Sequence, residues 1–278
     1  MKEPHLIAID LDGTLLTDDK EISARTKGIL FEARKQGHHV VIATGRPYRA
    51  SHMYYHELNL DTPIVNFNGA FVHHPLNDSW GVHHTPLDLS TAKSIINTCR
   101  EFDVKNVMAE VIDDVYLHNH DEYIIDSFFN RDTPVQTGDL HRILKDDPTS
   151  LLIYPHEHQV KDLRHLLEHH HAEVIEHRVW AAPWNVIEIV RTGLNKAVGL
   201  QKIADYLNVP KNRIIAFGDE DNDLEMIEYA GHGVAMGNAI DDLKSIADSI
   251  TKTNEEDGIA HYLEDVLKLR INTKESLL

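Results

Sequence analysis

Short apolar runs and helical spacings alternate along the first third of the chain. Leu6-Ile7-Ala8-Ile9 is an apolar run that ends in Asp10-Leu11-Asp12-Gly13-Thr14, the pattern of a buried strand stopping in a polar turn. Over residues 23–35 the spacing of Ile22, Thr26, Ile29, Leu30 and Ala33 predicts a helix, with Gly37 as its C-terminal cap. Val40-Val41-Ile42-Ala43 predicts a second buried strand, ending in Thr44-Gly45-Arg46-Pro47. A helix over residues 48–58 and a strand within 63–69 follow. Strands and helices in this order predict a parallel sheet with crossover helices.

The rhythm then changes. Residues 71–84 read as a hairpin around Asn77-Asp78, and Thr85-Pro86-Leu87-Asp88 as a linker and helix start. A helix over 91–102, β-rich sequence over 107–118, a strand over 151–154, a helix over 158–171 and strands at 174–175 and 186–190 come next. The first pattern returns with a helix over 196–207, a strand over 214–217, a helix over 223–229 and a strand over 233–236. Helices over 240–245 and 258–269 end the chain. The fold class expected is α/β: a Rossmann-like parallel-sheet core, residues 1–85 and 189–278, interrupted by an inserted α+β domain, residues 86–188.

Composition narrows the function. No apolar run exceeds four residues, far short of the roughly 20 that a membrane-spanning helix needs, so spanning is excluded and no membrane partner is expected. The first residues carry no long apolar region and predict no signal peptide. Cys99, the single cysteine, cannot form an internal disulfide; it reads as a small, half-buried hydrophobe in a helix and points to a reducing, cytoplasmic setting. The 27 Lys and Arg against 45 Asp and Glu give a net charge of −18, with no long basic cluster. Nucleic-acid binding starts from a basic footprint, so no nucleic-acid partner is expected. A phosphate-bearing substrate must instead be captured locally, by metal, lysine and backbone N–H groups.

Parallel strands share a carboxyl edge, where ligands of open α/β sheets bind. The first strand delivers Asp10 and Asp12 there, the second Thr44 and Gly45, and the strand at 214–217 delivers Gly218-Asp219-Glu220-Asp221-Asn222-Asp223; Lys196 opens the helix before it. Hard oxygen ligands suit Mg²⁺, and Asp10 and Asp219 are the obvious pair. A carboxylate can attack phosphorus. The Thr44 hydroxyl, the Lys196 ammonium and N–H groups of the turn at residues 12–13 can hold phosphoryl oxygens. A second carboxylate serves as acid, then base.

These residues carry a resemblance. Asp10-Leu11-Asp12-Gly13-Thr14 resembles the first motif of the haloacid-dehalogenase superfamily, Ala43-Thr44-Gly45-Arg46 its second, Lys196 its third and Gly218–Asp223 its fourth. Their order and spacing resemble the Cof-type subfamily, whose α/β cap is inserted between the second and third motifs. The resemblance implies Asp10 as nucleophile and metal ligand, Asp12 as general acid/base with its backbone carbonyl on the metal, and Asp219 as third protein ligand. It implies phosphate binding by Thr44, Gly45, Lys196 and Asn222. Asp223 would orient the metal-bound water or Lys196, and Arg46 would face the substrate or cap. Ala197, where the subfamily often has Gly, and Glu220, where a smaller residue is common, depart from the pattern. The implied activity is a Mg²⁺-dependent phosphatase that acts on a small phosphorylated metabolite, such as a sugar phosphate, through an aspartyl phosphate. A phosphomutase, or a signalling module that keeps the phosphate, shares these motifs; the acid/base at Asp12 speaks against the module.

Each residue also has a plainer reading. Thr44 by itself reads as a helix cap with Pro47 near the first turn, and Lys196 as a solvated helix residue. Glu220 and Asp221 read as solvated acids or first-turn helix acids. His165 and His169 sit at i, i+4 beside His170 and His171, a spacing that can bind a transition metal. Lys161, Asp162, Arg164 and Glu168 on the same segment favour a solvated helix. His73-His74 and His83-His84 flank the expected hairpin, and the reaction needs no histidine. Oligomeric state is not written in the pattern.

Overall fold

The computed structural model describes residues 3–128, 134–171, 175–179 and 186–270. Two compact units divide the chain: Met1–Arg46 with Ser51–Val82 and Asn195–Leu278, and Pro47–Ala50 with His83–Leu194.

The first unit is built on a five-stranded parallel sheet, in the order Ser249–Ile250, His232–Ala235, Ile214–Gly218, Leu6–Ile9 and His39–Ile42. The central strand Ile214–Gly218 and its neighbour Leu6–Ile9 are fully buried, as a sheet covered on both faces demands. The register sets Ile9 opposite both Phe217 and Ile42. The residues that follow all three strands therefore emerge at one level, and the Asp10 N–H still donates to the Phe217 carbonyl at 3.2 Å. A parallel bridge between Ala43 and Val65 extends this edge to the strand Ile64–Asn66, which pairs antiparallel with Phe71–His73.

The crossover helices follow from local chemistry. Ala24–Lys35 starts at Ser23, whose hydroxyl accepts from the Thr26 N–H at 3.1 Å, and it buries Thr26, Ile29, Leu30 and Ala33. Lys196–Leu207 starts at Asn195, whose side chain accepts from the Val198 N–H at 3.0 Å, and it ends at Asn208 in the left-handed conformation. The helix expected over 48–58 is shorter than its pattern suggests. Only His52–Glu57 is α-helical, after a 3₁₀ turn at Tyr48–Ala50. Two competing bonds explain this: the Ser51 hydroxyl accepts from Asn66 instead of capping, and the Arg49 N–H donates to Asp113 within the second unit.

The second unit has a six-stranded sheet, in the order Ile175–Val179, Ile187–Arg191, Ser150–Tyr154, Asn106–Val111, Asp114–Leu117 and Val135–Thr137. Its neighbours are antiparallel except the last pair. The helix Leu89–Glu101 buries Ala92, Ile95, Ile96 and Cys99 in a core shared with Val107, Leu151, Ile153 and Ile189. Cys99 is thus fully rather than half buried, and burial pushes its thiol up to about 12. Helices at Glu122–Phe128 and Leu140–Ile143 and the strand Val135–Thr137 are additions to the expected elements. They are too short for a helical or alternating period to show. Val174, of the strand expected at 174–175, and the side chains of His169, His170 and His171 lie outside the described residues. No helix among the described residues is long and apolar enough to cross a membrane.

Gly199 sets how closely the Lys196 helix approaches the sheet. A Cβ there would lie 2.6 Å and 2.9 Å from the two methyl carbons of Val65. Alanine is the better helix former by about 1 kcal/mol, but this overlap must displace the helix or the strand, at about 1–3 kcal/mol. Gly199→Ala is expected to lower the thermal midpoint by a few degrees despite its favourable propensity. Calorimetry checks this, and an unchanged or higher midpoint refutes the tight contact.

Candidate active site

Lys196 carries the centre of the site. Its ammonium is completely buried and lies 2.7 Å from Oδ1 of Asp10 and 2.7 Å from Oδ1 of Asp223. A lysine in the first turn of a helix opposes the helix dipole, so these two carboxylates, not the helix, hold it there. Burial pulls the ammonium down, but the attraction of Asp10 and Asp223 outweighs it and raises its pKa. The other oxygen of Asp223 accepts from the N–H groups of Asp219 and Glu220, at 3.0 Å and 3.2 Å. One side chain thus shapes the loop after Ile214–Gly218 and fixes the lysine.

Asp10, Asp219 and Asp223 bring a carboxylate oxygen each within 4.8 Å of one another, and all three are buried. They form the only such His, Cys, Asp or Glu cluster among the described residues. Fully ionised, they leave an excess of two negative charges over Lys196. Burial raises the Asp10 carboxyl, and repulsion from Asp223 and Asp219 adds to it against the pull of Lys196. Burial likewise pushes Asp219 up to about 7, opposed by the Thr14 hydroxyl, which donates to its Oδ1 at 2.7 Å. An all-oxygen donor set with surplus negative charge fits a hard divalent cation such as Mg²⁺. Gly13 (φ 73°) closes the turn over this cluster; a Cβ there would lie 2.1 Å from Oδ2 of Asp219.

Asp12 turns elsewhere. Arg46 grips it with two bonds of 2.6 Å, from Nε to Oδ2 and from a terminal nitrogen to Oδ1, and Lys20 Nζ lies 2.8 Å from Oδ1. Burial alone would raise this carboxyl; the Arg46 fork and Lys20 outweigh it and bring it to about 2. The Arg46 guanidinium in turn lies 5.6 Å from the centre of the Tyr54 ring. Lys20 has no motif to mark it, so the sequence reading missed it.

Thr44 is buried, and its hydroxyl accepts from the Arg46 N–H at 3.1 Å. Gly45 and Asn222 meet at Asn68: a Cβ on Gly45 would lie 3.2 Å from the Asn68 carboxamide, and Asn222 Nδ2 donates to Asn68 Oδ1 at 3.1 Å. The reading of the sequence passed over Asn68, although Asn-Gly at 68–69 is a positive-φ signal. His165 is exposed on the helix Val160–His171. The arrangement supplies a buried carboxylate beside a buried cation, a separate carboxylate held by two cations, and polar groups grouped around a glycine.

The sequence profile described as haloacid dehalogenase-like hydrolase matches residues 7–263. The 5-amino-6-(5-phospho-D-ribitylamino)uracil phosphatase YitU of Bacillus subtilis is 58% identical over 96% of this chain and 99% of its own. A second phosphatase of that substrate name from B. subtilis, YcsE, is 31% identical over 92% of both chains. The crystal structure of a haloacid dehalogenase-like hydrolase from Bacteroides thetaiotaomicron superposes with a TM-score of 0.81, at 28% identity, over 95% of this chain and 100% of its own. With the profile matching residues 7–263 and the relatives covering more than nine-tenths of the chain, the protein belongs to the haloacid dehalogenase-like hydrolases of the Cof type and is a phosphatase.

Proposed function

We propose that this phosphatase hydrolyses a primary phosphate ester on a polyol chain, with Asp10 as nucleophile, and that its substrate is 5-amino-6-(5-phospho-D-ribitylamino)uracil. The observation that carries the mechanism is the buried Asp10–Lys196–Asp223 arrangement beside a separately held Asp12. The substrate rests on the name of the relative with 58% identity. It refines the expected sugar phosphate to a ribityl phosphate.

Asp10 and Asp219, with the Asp12 backbone carbonyl, are the groups that would hold Mg²⁺. When bound, the cation supplies neutralisation of the phosphoryl dianion against these carboxylates. An Asp10 oxygen attacks phosphorus and the ribityl oxygen leaves, giving an aspartyl phosphate. Lys196, Thr44, the Gly45 N–H and Asn222 hold the phosphoryl oxygens. A ribityl alkoxide is a poor leaving group, so it must receive a proton as it departs, and Asp12 is the acid. The ester gives Arg46 a second anion to pair with, which loosens its grip on Asp12 and lets that carboxyl take up the proton. In the second half-reaction Asp12, again a carboxylate, removes a proton from the attacking water. Asp223 orients Lys196 throughout.

The insertion at residues 86–188, in a core of 1–85 and 189–278, is the cap in this reading and selects the leaving group. A cytoplasmic setting is supported by the single cysteine and its unpaired, buried state.

Asp10→Asn is expected to lower phosphate release by about 10⁴-fold or more while the circular dichroism spectrum stays that of the parent. Near-parent turnover sinks the mechanism. Asp12→Asn should cut kcat/KM for the ribityl phosphate by about 10²–10⁴-fold. The same variant should affect 2,4-dinitrophenyl phosphate, whose leaving group needs no proton, far less; equal losses on the two esters remove Asp12 as the acid. Chelation with EDTA should silence the enzyme, and Mg²⁺ should restore it where Ca²⁺, with its looser coordination, does not. Full activity after exhaustive chelation refutes the metal assignment.

A further inference from the structure

The turn after the strand Ile64–Asn66 holds three successive residues in the left-handed region: Phe67 at φ 49°, Asn68 at 51° and Gly69 at 97°. Gly adopts this region freely, Asn tolerates it, and Phe pays for it in strain. All three are buried. Strain of this kind persists only where the surroundings over-determine it, and it gathers at functional sites.

What surrounds this turn is three of the four motifs. Against the second, the Asn68 N–H donates to the Thr44 carbonyl at 3.2 Å. Asn66 Nδ2 and the Phe67 N–H both donate to the Arg46 carbonyl, at 2.9 Å and 3.3 Å. Against the third, Gly69 lies so close that a Cβ would sit 2.3 Å from the carbonyl oxygen of Asn195, the residue that caps the Lys196 helix. Against the fourth, the Asn68 carboxamide accepts from Asn222 Nδ2 at 3.1 Å while it covers Gly45. Asn68 is 2% exposed. Its Oδ1 is taken by Asn222, and its own Nδ2 makes no hydrogen bond to the protein among the described residues.

We propose that Asn68 is a positioning residue for phosphoryl binding: it fixes the Asn222 carboxamide and the Thr44–Gly45 backbone in the geometry that a phosphoryl group requires. The strained turn places one carboxamide between two loops that are more than 150 residues apart in sequence. The Oδ1 end holds Asn222, and the unpaired Nδ2 end is the donor left for the incoming anion. This rests on the reading of Thr44, Gly45 and Asn222 as phosphate ligands.

The test separates the side chain from the backbone. Asn68→Gly removes the carboxamide yet suits the left-handed conformation better than Asn does, so the turn is preserved or relaxed. Inorganic phosphate and orthovanadate, as competitive inhibitors, read the phosphoryl site without turnover. The variant is expected to keep the parent's thermal midpoint. Its inhibition constants for both anions should rise about 10-fold, and kcat/KM should fall by 10- to 100-fold, as small misplacements of binding groups do. Asn68→Asp keeps the shape and tolerates the same φ but sets a carboxylate against the anion. It should weaken anion inhibition further, and it supplies the reading if the glycine variant does not fold. Unchanged inhibition constants in the folded variants overturn the proposal, as does a drop in thermal midpoint with normal inhibition, which marks a purely structural turn. Lys196→Met, assayed alongside, keeps two failures apart. If Lys196→Met also leaves anion inhibition unchanged, the phosphate-site reading itself has failed. If only the Asn68 variants do, the positioning role alone has failed.

Discussion

Everything at the carboxyl edge of the sheet depends on keeping one ammonium group out of water. Lys196 is fully buried, in the first turn of a helix whose dipole repels it, and only Asp10 and Asp223 make that tolerable. Remove either carboxylate and a buried charge is left half-paired, a costly state for a protein interior. The three residues come from the end of the strand Leu6–Ile9, the start of the helix Lys196–Leu207 and the loop after the strand Ile214–Gly218, so the ion pairs also lock the register between these elements. The same pairing leaves Asp219 and part of the Asp10 charge uncompensated. The interaction that organises the fold locally thus creates the demand for a second cation.

Two carboxylates only two residues apart end up in opposite electrostatic conditions. Asp10 sits in a buried cluster of like charges and its carboxyl is pushed up; Asp12 faces Arg46 and Lys20 and is brought down to about 2. The strand ends between them, so the turn at Leu11 and Gly13 lets one side chain point inward and the other outward. Environments that drive neighbouring carboxyls apart are a recurrent way for one site to run both nucleophilic and acid/base chemistry.

Much of this was legible in the sequence, for a definite reason. Buried parallel strands announce themselves as continuous apolar runs, and their carboxyl ends fall at one edge. The convergence of Asp10, Asp219 and Asp223 therefore followed from strand order, whereas Lys196, on a helix, stood out only through the motifs around it. What stayed hidden depends on contacts without a periodic signature. Lys20 reaches Asp12 from an irregular turn with φ 63°. Asn68 sits in a strained turn at φ 51°. The excursion of Pro47–Ala50 into the second unit, where Arg49 pairs with the buried Glu110, interrupts a helix that its local spacing favours. In each case tertiary bonds overrode or escaped local propensity.

Cys99 makes the second unit its own reporter. The sole thiol of the chain lies in that unit's core, fully enclosed and held far from its thiolate form, so alkylating reagents reach it only when the core opens. The rate at which an excess of such a reagent labels the native protein therefore counts openings of this unit alone, with no engineered probe. Cofactor or ligand bound only by the first unit leaves that clock running at the same pace unless the two units unfold together. The cooperativity of the whole chain can thus be read from one atom of sulfur.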